Sequence, residues 1–114
     1  MERYKVRITD AALQDMEDIY IYIAEKLQAP ENARGRYNRI ADAILSLSAF
    51  PERYRLLEPQ PWRSVGMRRM NVDNYSVFYV LRGETVYVTD VLYSASDIES
   101  RLRGLKQTEE NMIE

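Results

Sequence analysis

Two stretches of helical hydrophobic periodicity stand end to end with only Gln28 and Ala29 between them, and this spacing constrains the fold more than any other feature of the chain. In the first, Leu13, Met16, Ile19, Tyr20, Ile23, Ala24 and Leu27 recur at three-and-four spacing, while Asp15, Glu17, Asp18 and Glu25 fall mostly on the other side. In the second, Ala33, Tyr37, Ile40, Ile44 and Leu47 follow Pro30, a residue suited to a first helical turn, and the pattern stops before Pro51. Helices joined by so short a break pack antiparallel as a helical hairpin.

The rest of the chain reads as strands. Tyr4 to Ile8 alternates polar with apolar and stops at Thr9 and Asp10, either of which can cap a helix. From Pro51 to Val65 periodicity fails: Pro51, Pro59 and Pro61 break any regular element, and Trp62 is the one large apolar anchor of a loop. Gly66 to Val72, Tyr75 to Arg82 and Thr85 to Ser94 then form an antiparallel meander, turned at Asp73-Asn74 and Gly83-Glu84. Val86 and Val88 share a face while Val91 and Tyr93 change parity, which predicts a β-bulge near Thr89-Asp90. Ser96 or Asp97 is placed to cap a short helix through Leu102.

The expected architecture is α+β in the order β-α-α-β-β-β, an antiparallel sheet packed on a helical hairpin with a short C-terminal helix or tail. Residues 1–103 form one domain and residues 104–114 a polar tail. Strand parity puts Tyr75, Val77, Tyr79 and Leu81 with Met70, Val72, Val86 and Val88 under the helices. The opposite face, with Met67, Arg69, Asn71, Ser76, Phe78, Val80 and Tyr87, is then exposed. Tyr75 and Tyr79 read as core, whereas Phe78 and Tyr87 are open between core packing and a binding face.

Composition narrows the chemistry. With no cysteine and no histidine, disulfides, thiolate nucleophiles, thiolate metal sites and the usual general base are excluded, leaving carboxylates, Arg, Lys, Tyr and hydroxyls. No metal or cofactor is expected. No apolar run reaches the length of a membrane span and the start lacks a secretory apolar region, so the expected compartment is the cytoplasm, with no membrane partner. The net charge of −2 hides an uneven distribution. Residues 34 to 69 hold eight arginines against Asp42, Glu52 and Glu58, a net of +5, and the remainder carries −7. Arg is the better fork for phosphate and carboxylate, so the basic middle reads either as a surface for an anionic partner or as the solvated face of the second helix with loop charges.

Several segments together resemble the RelE/ParE superfamily of bacterial type II toxins, often labelled plasmid stabilisation proteins. They are Tyr4 to Thr9, Ala12 to Ala24, Ile44 to Pro51, Gly66-Met67-Arg68-Arg69-Met70 with Val72, Asn74 to Tyr79, and Val91-Leu92-Tyr93 with Asp97. The resemblance covers nearly the whole chain and implies a small growth-inhibiting toxin neutralised by a cognate antitoxin. Its RelE-like members cleave messenger RNA on the ribosome with clustered basic residues. In them an Arg commonly follows the tyrosine matching Tyr75, where this chain has Ser76, and another lies near the end of the last strand, where it reads Ser94-Ala95-Ser96. Arg68, Arg69 and Tyr93 are what remains for a ribonuclease, and a phosphoryl transition state needs several cations converging on it. The resemblance therefore favours the ParE-like branch, whose members bind DNA gyrase and trap its cleaved complex with DNA. A ribosome-dependent endonuclease and a degenerate, non-toxic interaction module are the alternatives. Target binding is expected at Arg69, Phe78 and Tyr87. Antitoxin binding is expected on the hairpin at Tyr20, Tyr22, Tyr37 and Leu45, which exceed what one narrow helical stripe buries. The oligomeric state is left open.

Overall fold

The computed structural model describes residues 3–58, 60–96 and 98–102. Strand β1 (Lys5–Ile8) leads into helix α1 (Asp10–Ile21), which continues as a π-helical turn, Tyr22–Lys26. Helix α2 (Pro30–Leu45) runs into a 3₁₀ turn at Ser46–Ser48. The remaining elements are a 3₁₀ turn at Pro51–Arg53, helix α3 (Trp62–Val65), the meander β2 (Arg68–Val72), β3 (Tyr75–Arg82) and β4 (Thr85–Tyr93), and helix α4 (Ile98–Arg101). The polar tail expected at 104–114 and the Asp97 cap lie outside the described residues.

Local chemistry accounts for these boundaries. Thr9 is the N-cap of α1, its hydroxyl accepting from the Ala12 N–H at 3.2 Å, and Asp10 in the first turn suits the positive end of the helix dipole. The widened turn at the end of α1 closes with the Leu27 N–H donating to the Tyr22 carbonyl at 3.2 Å. Pro30 opens α2 at its first position. Gly66 ends α3 in the left-handed region, φ 81°, a conformation that suits a residue without Cβ. The Ser96 hydroxyl donates to the Tyr93 carbonyl at 2.6 Å.

The meander is antiparallel as expected, and β1 joins it on the far side of β4 in parallel, giving the strand order β1-β4-β3-β2. The sheet is mixed for this reason. A four-residue alternation carries no sign of which neighbour it will pair with or in what direction. The expected bulge is present. Phe78 pairs with Asp90 and Tyr79 with Val88, so Thr89 is the extra residue, and its hydroxyl donates to the Phe78 carbonyl at 3.3 Å.

The helical hairpin covers one face of the sheet. Ala12, Met16, Ile40, Ile44 and Leu47 pack against Met70, Tyr75, Val77, Tyr79, Val86, Val88 and Val91. Each large aliphatic buried there contributes about 1.5–3 kcal/mol. Two buried polar groups fix the helices in register on the strands. The Asp15 carboxylate accepts from the Val91 N–H at 3.0 Å, and the Tyr79 hydroxyl donates to the Pro51 carbonyl.

The opposite face differs from the sequence expectation: it is covered, not exposed. Met67, Phe78, Val80, Leu92 and Leu102 form a second buried cluster, with Leu57, Trp62, Val65, Tyr87 and Ile98 packed against it. Trp62 is thus an anchor, as expected of the loop. The covering pieces, α3 and α4, are four residues each, too short for a periodic hydrophobic signal.

Two substitutions check this packing by urea denaturation. Phe78→Ala removes a fully buried ring and is expected to cost about 3–5 kcal/mol, where a solvent-facing Phe would cost under ~0.5 kcal/mol. Tyr79→Phe leaves the Pro51 carbonyl without its donor and is expected to cost about 1–3 kcal/mol.

Candidate functional site

The residues singled out by sequence fall into three places. Arg69 lies on the second face of the sheet, half-buried. Its Nε donates to the Ser76 hydroxyl at 2.9 Å and to Asn71 Oδ1 at 3.2 Å, and its guanidinium carbon sits 5.6 Å from the Phe78 ring centre. Ser76 is fully buried and also bonds the Ser94 hydroxyl at 2.8 Å. Phe78 itself is fully buried and Tyr87 half-buried against the second cluster, so Phe78 offers no surface to a partner.

Arg68 points to the helix-covered face, where its Nη1 donates to the Tyr54 carbonyl at 2.6 Å and the Glu52 carbonyl at 3.2 Å. Tyr93 also belongs to that face, edge-to-face with Tyr75 at 5.8 Å and 52% exposed. The set Arg68, Arg69 and Tyr93 is therefore divided by the sheet and does not converge on one point.

Of the four hairpin residues, Tyr20 and Tyr37 pack on each other edge-to-face at 6.1 Å and are half-buried, bracing α1 on α2. Leu45 is 63% exposed at the C-terminal end of α2. Tyr22 is 54% exposed and opens onto a cleft of about 1090 Å³ between the π-helical turn, the first half of α2 and the far end of β3 and β4.

This cleft is a concavity that the sequence did not reveal. Its walls include Tyr22, Ile23, Leu27, Tyr75 and Tyr93, and two guanidiniums, Arg36 and Arg39, stand on one side. The π-helical turn shapes it by turning Tyr22 and Leu27 outward from the helical stripe. Arg36 and Arg39, three residues apart on α2, share one face and both reach Asp73 in the β2–β3 turn. Asp73 sits at φ 55°, a left-handed conformation that Asp tolerates in turns. Arg39 Nε donates to Asp73 Oδ2 at 2.8 Å, while Arg36 Nε is 3.1 Å from the same oxygen. The Arg39 hydrogen bond, aided by both positive charges, holds the Asp73 carboxyl below the usual carboxylate range. The Arg36 guanidinium carbon also lies 5.5 Å from the Tyr75 ring centre, and burial pushes the Tyr75 hydroxyl up from its ordinary pKa.

In the sequence Arg36 and Arg39 read only as part of a basic run. The signal that could have found them is their i, i+3 spacing on a helix that must pass over a meander turn holding an acid. Among the described residues no group of three or more Asp, Glu, His or Cys side chains is arranged to hold a metal ion, and no helix is long and apolar enough to cross a membrane.

The model of the family described as the ParE toxin of type II toxin–antitoxin systems, parDE, matches residues 6–98. Among solved structures, the chain resembles one from a chromosomal ParDE toxin–antitoxin system of P. aeruginosa, with TM-score 0.67 and 17% identity over 80% of this chain and 96% of that one. It also resembles one from the RelBE2 toxin–antitoxin complex of Mycobacterium tuberculosis, with TM-score 0.58 and 22% identity over 84% and 97%. A mutant of the E. coli toxin RelE in the free state aligns with TM-score 0.61 and 11% identity over 91% and 96%. A search of curated proteins found no match. At these identities the structural likenesses establish the shared fold, and the family match spans both the helical hairpin and the meander. The chain belongs to the RelE/ParE superfamily of type II toxin–antitoxin toxins, matched through its ParE toxin family.

Proposed function

We propose that this chain is a ParE-like toxin that works in the cytoplasm, arrests growth by poisoning DNA gyrase rather than by cleaving RNA, and is held inactive by a cognate antitoxin. The observation that carries the choice of target is the division of Arg68, Arg69 and Tyr93 between the two faces of the sheet. Cleavage of a phosphodiester needs donors aimed together at the charge that develops on one phosphorane. Here Arg68 is engaged by two backbone carbonyls, and Ser76 and Ser94 fill the ground beside Arg69. Tyr93 stands across the sheet from Arg69, edge-to-face with Tyr75.

An antitoxin partner is supported by the exposed apolar side chains along the hairpin, Tyr22, Leu27 and Leu45, and by the toxin–antitoxin assemblies from which two of the similar structures come. Amphipathic segments recognise surfaces of this kind by laying an apolar face into a groove.

Target engagement is assigned to Arg69, which Ser76 and Asn71 hold by its Nε and which is half-buried on the second face of the sheet. Induction in bacteria, with plasmid supercoiling and messenger RNA integrity followed together, tests the proposal. Gyrase-dependent cleaved DNA with intact RNA is expected. Codon-dependent cuts on programmed ribosomes, lost in Arg69→Ala or Tyr93→Phe, would restore the ribonuclease, and unimpeded growth would mark a non-toxic module. Arg69→Ala is expected to weaken toxicity about tenfold or more with little loss of stability, the scale of one charge-assisted contact of ~1.5–3 kcal/mol. Full toxicity in the folded variant would remove Arg69 from the site.

A further inference from the structure

The cleft beside α2 holds two guanidiniums on a single carboxylate. Arg36 Nε is buried and lies 3.1 Å from Asp73 Oδ2 in an ion pair without hydrogen-bond alignment, while Arg39 Nε donates to the same oxygen at 2.8 Å. The Arg36 and Arg39 side chains remain 25% and 55% exposed, so an acceptor that arrives in the cleft can meet their guanidiniums. Two guanidiniums share one carboxylate, so the pair keeps an excess of one positive charge facing an aromatic wall.

We propose that this pair is the anchor for a single carboxylate on an apolar peptide segment of the protein partner, received by Arg36 and Arg39 while the flanking side chains pack on Tyr22, Leu27 and Tyr93. The proposal rests on the antitoxin reading and names the chemistry by which that partner is held. Three features select the occupant. The fork geometry of Arg matches a carboxylate in a way a neutral acceptor does not. Asp18, Glu31 and Arg101 also line the cleft, so its charge is mixed and local, which suits one acid at the arginine side better than a polyanion such as a nucleic-acid backbone. The space, about 1090 Å³ with Tyr22, Leu27 and Tyr93 each more than half exposed, suits a peptide segment with several side chains.

The test is titration of the full-length chain with the antitoxin encoded by the neighbouring reading frame, using wild type, Arg36→Gln/Arg39→Gln and Arg36→Lys/Arg39→Lys, each checked by thermal melting. The Lys pair keeps the charge opposite Asp73 and so keeps the fold while losing the fork. Both pairs are expected to weaken binding, the Gln pair by about 30-fold or more. In a scan of antitoxin Asp and Glu to their amides, one position is expected to lose its effect when combined with the Gln pair, or with the Lys pair should the Gln pair not fold. Unchanged affinity in the Arg variants, or no antitoxin acid coupled to them, would overturn the anchor and leave the antitoxin reading standing. Failure of the wild-type chain to bind that antitoxin would remove both. Tight, salt-dependent binding of a dT20 oligonucleotide that the Gln pair abolishes would overturn it in favour of nucleic acid.

Discussion

The single extra residue at Thr89 sets the orientation of everything beyond it. Before the bulge Val86 and Val88 face the helices, and without it Val91 and Tyr93 would face away. With it, Val91 turns into the main core and presents its N–H to Asp15 on α1, while Leu92 turns into the second cluster. The bulge is itself held from both sides. Thr9 donates its hydroxyl to the Thr89 carbonyl, and Thr89 donates to Phe78. The N-cap of α1, the kink of β4 and the seating of α1 on the sheet are thus parts of one hydrogen-bonded unit, and the placement of Tyr93 at the cleft follows from it.

The bulge was legible because a change of parity is written in the order of side chains. So were the helical hairpin and both meander turns, where periodicity and turn chemistry agree. The covering of the second face was not. Parity shows that Phe78 and Val80 point away from the helices, but whether anything lies over them depends on Leu57, Trp62, Ile98 and Leu102, which come from two separate short segments. The cleft was illegible for a similar reason. Arg36 and Arg39 read as part of a basic run and Asp73 as a turn residue, and only the docking of α2 over that turn brings them together.

The two faces divide the arginines between different roles. On the helix side Arg68 braces the loop before β2, and Arg36 and Arg39 tie α2 to the meander. On the other side Arg69 is fixed by neutral hydroxyl and amide groups over an aromatic ring. The sheet is the partition between these two sets of arginines.

The second layer has a consequence for solubility. Helices of four residues do not form on their own, because nucleation is unfavourable and too few hydrogen bonds follow it. Helices α3 and α4 persist only as long as they are seated on Met67, Phe78, Val80 and Leu92. Release of either would bare a continuous apolar strip on the central strands while the hairpin core stayed folded, and such a strip promotes self-association. The margin between a monodisperse protein and a sticky one is therefore set by two short covering segments rather than by the stability of the main core.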